Sequence, residues 1–135
     1  MSVSAAIPIG ASGLRTVVVT RELTVAHFHP EMPEVYGTPM MIYLMELAAS
    51  DAIQSYLPPG WASVGAVVNV QHLTATPVGL TVTARARVVQ VNGRMISFAV
   101  EAHDGVEKIG EGTHVRGLID LARFHSKVSQ KNKQQ

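Results

Sequence analysis

Hydrophobic positions in this chain are distributed in two ways. Between residues 39 and 56 (PMMIYLMELAASDAIQSY) they crowd into one stretch, whereas elsewhere they alternate with polar residues or run in β-branched segments. In the crowded stretch Met40, Met41, Ile42, Leu44, Met45 and Leu47 cover nearly every side of a helix. A helix apolar all round is buried all round. Thr38 suits the N-cap, Pro39 has the φ angle required at the first helical position, and Pro58, Pro59 and Gly60 end the segment.

The remaining patterned segments predict strands. Residues 15–25 (RTVVVTRELTV) are β-branched. The segment 62–75 reads as a strand with Val64, Ala66, Val68, Val70 and His72 on one face. Residues 80–91 alternate, with Arg85 and Arg87 on one side, and residues 94–103 return after Asn92–Gly93, a signal for a type I′ hairpin. Asp104–Gly105 is a second turn of that kind before a long final strand over 106–121. The segment AHFHPEMPEVYGTP, rich in breakers, is a long connection directly before the helix, and long ordered loops often cover sites.

Strand, loop, helix and four antiparallel strands describe an α+β domain, with a sheet of about five strands curled around one long central helix. Such a sheet leaves an edge, and pairing edges across a two-fold axis is a common remedy. A homodimer or a dimer of dimers is expected.

Composition narrows this picture. Hydrophobic residues are 47% and charged residues 16%, so the chain folds, and with aromatics at 5% its core is built from aliphatic residues and Met. The absence of cysteine excludes disulfides, thiolate nucleophiles and cysteine metal sites, and it fits a cytoplasmic protein. Of the net charge of +1, the terminal Arg123, Lys127, Lys131 and Lys133 supply +4, leaving −3 on the body. Positive charge in a tail rather than on a face argues against nucleic acid. No apolar run approaches the roughly 20 residues of a membrane span, and the first residues lack the pattern of a signal peptide. The expected division is a loosely attached N-terminal arm over 1–14, a domain over 15–124 and a basic tail over 125–135.

Glu46 is the anomaly. It is the only charge between Pro39 and Ser50, within MMIYLMELAA. A carboxylate in apolar surroundings is costly unless paired. It is a candidate reactive group, or else it lies on a thin exposed stripe with Tyr43 and Ser50. His72 closes an apolar row and reads equally as a hydrogen-bonded core residue, and Thr38 as the helix cap. Gly65 marks a bulge or a close approach to a ligand, and Arg116 is a surface charge or a phosphate contact. His27 and His29 lack a third ligand of suitable spacing, so no metal is expected, and neither a GxSxG elbow nor a phosphate loop is present.

The segments YGTPMMIYLMELAA, VQHLTATPVGLTVT and AHDGVEKIGEGTHVR resemble the hotdog-fold thioesterases related to fluoroacetyl-CoA thioesterase. The likeness runs from about Arg15 to Val128. It implies a hotdog fold, an acyl-CoA substrate and no cofactor beyond the substrate's own CoA. By the same likeness Thr38, Glu46 and His72 are the catalytic group, Gly65 lies beside the thioester carbonyl, and Arg116 holds the closed site or the CoA portion. Where the fluoroacetyl-CoA enzyme has a lid phenylalanine, this chain has Met32, with Tyr36 the nearest aromatic. The two are candidate substrate contacts, and the difference argues against selectivity for fluorine. The competing expectations are a non-catalytic acyl-CoA binding or sensor module, and a hotdog hydratase or dehydratase. The latter is disfavoured because the helix carries Glu46 and Asp51 but no histidine.

Overall fold

The computed structural model describes residues 2–134. Five antiparallel strands form one sheet: β1 (Ser12–Val18), β2 (Trp61–His72), β3 (Thr81–Asn92), β4 (Met95–His103) and β5 (Lys108–Asp120), in the order β1-β3-β4-β5-β2. The long helix, here α2 (Thr38–Gln54), lies against the inner face, after a short α1 (Val25–Phe28); a third helix, α3 (Leu121–Asn132), follows β5. The expected α+β architecture of a sheet around a central helix is what the chain adopts.

The inner face of the sheet is made of small and aliphatic residues. Val82, Ala84, Ala86 and Val88 of β3 alternate inward, as do Ile96, Phe98, Val100 and Ala102 of β4. They meet Met41, Leu44, Met45, Ala48, Ala49, Ala52 and Ile53 of α2. Small side chains let the backbones approach closely. At Gly13 of β1 a Cβ would overlap the Ala48 carbonyl, so only glycine fits beneath the helix there.

Several local expectations change. Gly37, not Thr38, is the N-cap of α2, and Thr38 is already helical; its hydroxyl makes no cap bond and is directed elsewhere. The strand expected over 15–25 leaves the sheet after Val18, because the chain folds into a helical turn at Arg21–Leu23 and then α1, with the buried Thr24 hydroxyl donating to the Arg21 carbonyl at 2.6 Å. The first hairpin turns on Gly93–Arg94, since Asn92 pairs with Met95. Positive φ there falls only on Gly93 (62°), the first central position, which is the pattern of a type II′ turn rather than I′. After β4 the loop is longer than a two-residue turn: Asp104 accepts from the Val106 and Glu107 amides and closes it, and His103 pairs with Lys108.

The two ends are also structured. In the N-terminal segment Ile7 is buried in the core, and Gly10 and Ala11 exchange backbone bonds with Val88. The basic tail folds as α3, whose cap Asp120 accepts from the Arg123 amide, although none of its residues is buried.

β2 contains the feature that matters most for function. Its pairing with β5 slips between Gly65 and Val67, a β-bulge that takes Ala66 out of the ladder. The bulge reverses the alternation. Ser63 and Gly65 face inward opposite Leu118 and Arg116, while Val68, Val70 and His72 face inward opposite His114, Gly112 and Gly110. Val64 therefore falls on the face opposite Val68, Val70 and His72, contrary to simple period-2 counting.

Candidate active site

Two clusters of polar side chains lie between α2 and the inner faces of β2 and β5. The first joins the start of α2 to the end of β2. Thr38 Oγ1 and His72 Nδ1 share a hydrogen bond of 2.7 Å, while His72 Nε2 is shielded from solvent and has no protein partner. Burial pushes the His72 pKa below the ordinary imidazole value, with a smaller opposing contribution from the Thr74 backbone, so the ring is neutral near pH 7. A neutral imidazole anchored at one nitrogen offers the other to a reacting group.

The second cluster surrounds Glu46, two turns further along α2. Its side chain is 33% exposed, so the carboxylate lies at the mouth of the core rather than inside it. It rests directly over Gly65, where any Cβ would overlap the carboxylate oxygen. Arg116 Nη1 faces it at 3.5 Å. The guanidinium is held from behind by Ser63, with Nε donating to Oγ at 2.7 Å and Nη2 to the backbone carbonyl at 2.9 Å. On its other side Nη1 approaches His114 Nε2 at 3.2 Å. Burial lowers the Arg116 pKa, Glu46 opposes that shift, and arginine remains charged regardless.

The sequence-derived candidates thus divide. Thr38 meets His72, and Glu46 meets Gly65 and Arg116, but among the described residues no hydrogen bond joins the two groups. Tyr36 is almost fully buried, its hydroxyl donating to the Met40 carbonyl and its pKa pushed up to about 12 by burial. Its side chain belongs to the core, not to an open ligand surface. Met32 is 45% exposed, on the connection before α2. His27 packs edge-on against Phe28, and among the described residues no group of three or more His, Cys, Asp or Glu is placed to hold a metal ion.

Sequence reasoning missed Ser63 and His114. Both carried a signal. His114 is two residues before Arg116 and so shares its face, while Ser63 and Gly65 share theirs two residues apart. A polar residue beside another on a core-facing strand needs a partner, which was reason to read them together. A separate polar groove of about 700 Å³ crosses the outer face of the sheet, lined in part by Arg85, Arg87, Glu101 and Glu111, and holds none of the candidate site residues.

Comparison with known proteins identifies the family and the fold. Residues 19–122 match the family described as fluoroacetyl-CoA-specific thioesterase. The fluoroacetyl-CoA thioesterase of Streptantibioticus cattleyicolor is 45% identical over 129 residues, covering 91% of this chain and 93% of that one. A solved fluoroacetyl-CoA thioesterase structure superposes with a TM-score of 0.86 at 45% identity, over 92% of this chain and 96% of the other. A thioesterase superfamily member from Thermus thermophilus superposes with a TM-score of 0.88 at 29% identity, over 95% of each chain. A hot-dog-like protein from Thermanaerovibrio acidaminovorans shares the fold at 22% identity, with a TM-score of 0.87 over 97% of each chain. With a hotdog sheet and helix and a carboxylate poised over a glycine, the chain belongs to the fluoroacetyl-CoA-specific thioesterase family and is an acyl-CoA thioester hydrolase.

Proposed function

We propose that the protein hydrolyses the CoA thioester of a small acyl group, in the cytoplasm and as a homodimer, with Glu46 as the reacting carboxylate. The observation that carries this reading is the position of Glu46: one-third open to solvent, against a glycine, and facing one arginine rather than locked in a close ion pair. A carboxylate so placed either attacks the thioester carbon, giving a transient anhydride, or removes a proton from the attacking water. In both routes the carbon–sulfur bond breaks and the CoA sulfur leaves as thiolate, a good leaving group that requires no metal or cofactor. A backbone N–H at the Gly65–Val67 bulge is suited to the developing oxyanion. In the anhydride route the neutral His72, anchored by Thr38, takes a proton from the water that opens the anhydride and frees Glu46, then passes it to the CoA thiolate; in the other route Glu46 itself takes the proton of the attacking water. Arg116 steadies the closed site around the bound thioester.

Two features support the dimer. At a rise of about 1.5 Å per residue, the Cα atoms of Thr38 and Glu46 stand about 12 Å apart along α2. One protomer therefore keeps its proton-handling pair at a distance from its carboxylate. β2 is the sheet edge beside both clusters, and Val67 and Val68 on it are 50% and 43% exposed. Antiparallel pairing of two such edges covers the valines and brings His72 of the partner subunit toward Glu46.

Glu46→Ala and His72→Ala are each expected to lower kcat by at least about 10²-fold with the dimer intact. Near-normal turnover in either folded variant refutes the assignment. A single turnover in ¹⁸O-water distinguishes the two routes: label in the enzyme carboxylate indicates an anhydride, label only in the product indicates base catalysis. Binding without thiol release across acetyl-, phenylacetyl- and longer acyl-CoAs would instead identify a sensor module.

A further inference from the structure

Arg116 can address Glu46 usefully only if its guanidinium is held in one plane and at one distance. Arginine is a donor through all its N–H groups and accepts nothing, so each neighbour that fixes it must accept. Ser63 satisfies Nε and Nη2 from behind. Nη1 is shared between Glu46 Oε2 at 3.5 Å and His114 Nε2 at 3.2 Å.

Because Arg116 donates to Nε2, that nitrogen presents its lone pair and the ring proton sits on Nδ1. Nδ1 lies 2.7 Å from the Val67 carbonyl, the acceptor this tautomer requires. The ring is 1% exposed and stacks on Phe98, with centroids 6.0 Å apart, so it has no freedom to turn. His114 therefore ties three things together: the bulge that places Gly65 under the carboxylate, the arginine, and the core.

We infer that His114 is a positioning residue for the reaction, holding the Arg116 guanidinium beside Glu46 without letting it close into a full ion pair. The inference rests on the reading of Glu46 as the reacting carboxylate. An aliphatic residue at 114 would fill the volume but leave Nη1 with Glu46 alone. Arg116 would then move onto the carboxylate, and the carboxylate would be less available for attack.

Two amides separate this role from simple packing. In His114→Gln, Oε1 stands as many bonds from Cα as Nε2 does in histidine, so the acceptor for Arg116 is kept. In His114→Asn, the amide N–H keeps the bond to the Val67 carbonyl, and the acceptor for Arg116 is lost. With both variants shown folded by thermal melting, kcat on acetyl-CoA is expected to fall at least about 10-fold in His114→Asn, with KM within about threefold of the parent. It should recover to within about threefold of the parent in His114→Gln. A second readout is independent of turnover: water exchange of the Arg116 guanidinium protons, followed by ¹⁵N NMR, accelerates in His114→Asn and not in His114→Gln. Equal behaviour of the two amides in both measurements overturns the inference. Should Glu46→Gln keep full activity, the reading of Glu46 has failed, and the exchange measurement alone decides whether His114 holds Arg116.

Discussion

Gly65 shows how tightly single residues are set here. Its α-hydrogen faces the Glu46 carboxylate where a methyl group would overlap it. Gly65→Ala is expected to displace the carboxylate and lower kcat by about 10- to 10²-fold, with little change in the melting temperature, since Glu46 can swing toward solvent. The two inward histidines set an acid limit. Burial holds His72 and His114 below 6.5; near His114, Arg116 deepens the shift while Glu46 and the Val67 carbonyl oppose it. Below that pH the unfolded chain binds protons that the folded chain refuses, so stability is complete above about 6.5 and is lost as pH falls toward the depressed folded values. Urea midpoints should therefore drop between about pH 7.5 and about pH 5.5, and less so in His114→Gln, which has one such group fewer. An unchanged slope in that variant would mean that His114 does not contribute.

Among the elements, α2 and the hairpins were legible because proline and glycine punctuate them: Pro39 opens the helix, Pro58–Gly60 close it, and Gly93 and Gly105 turn the chain. Gly65 signalled a bulge or a close approach to a ligand, and the structure shows both: the register slips between Gly65 and Val67, and the Glu46 carboxylate lies over Gly65. Its effect on the alternation was not legible, because the extra residue is set by the pairing with β5, and simple period-2 counting therefore put Val64 on the wrong face and left Ser63 unread. For Thr38 the ordinary reading as helix cap does not hold, since Gly37 caps the helix and the hydroxyl bonds His72, the partner that the family likeness grouped with it. The expectation of a free tail likewise missed α3, whose Asp120 cap is plain only once β5 is seen to end there. The close fit of β1 to α2 gives an element-scale test. Gly13→Ala forces a methyl into the Ala48 carbonyl and is expected to cost about 1–3 kcal/mol or more in urea unfolding.

For the whole molecule, the question is whether one chain holds a complete site. If Glu46 of one subunit works with His72 of its partner, mixing the inactive Glu46→Ala and His72→Ala proteins under subunit exchange must restore activity. Each hybrid dimer then has one site with both groups intact and one with neither, so turnover returns to as much as half the parent value per hybrid. No recovery in demonstrated hybrids would place the whole site within one subunit. Substrate choice is also a property of the whole assembly. With Met32 on the connection before α2 and the Tyr36 ring committed to the core, a strong preference for fluoroacetyl-CoA over acetyl-CoA is not expected, and the ratio of their kcat/KM values measures this.

The layer of alanines beneath the helix has a consequence for how this scaffold can change. Large interdigitating side chains can be exchanged and repacked, but a helix resting on Ala84, Ala86 and Ala102 through its own Ala48, Ala49 and Ala52 has no slack to redistribute. Any enlargement under α2 lifts the helix, and Glu46 moves with it. Adaptation to new acyl groups has to proceed where the scaffold is free to vary, along the exposed connection carrying Phe28 (73% exposed) and Met32. A library selected for longer acyl chains should accumulate its substitutions there and leave the small residues under the helix as they are.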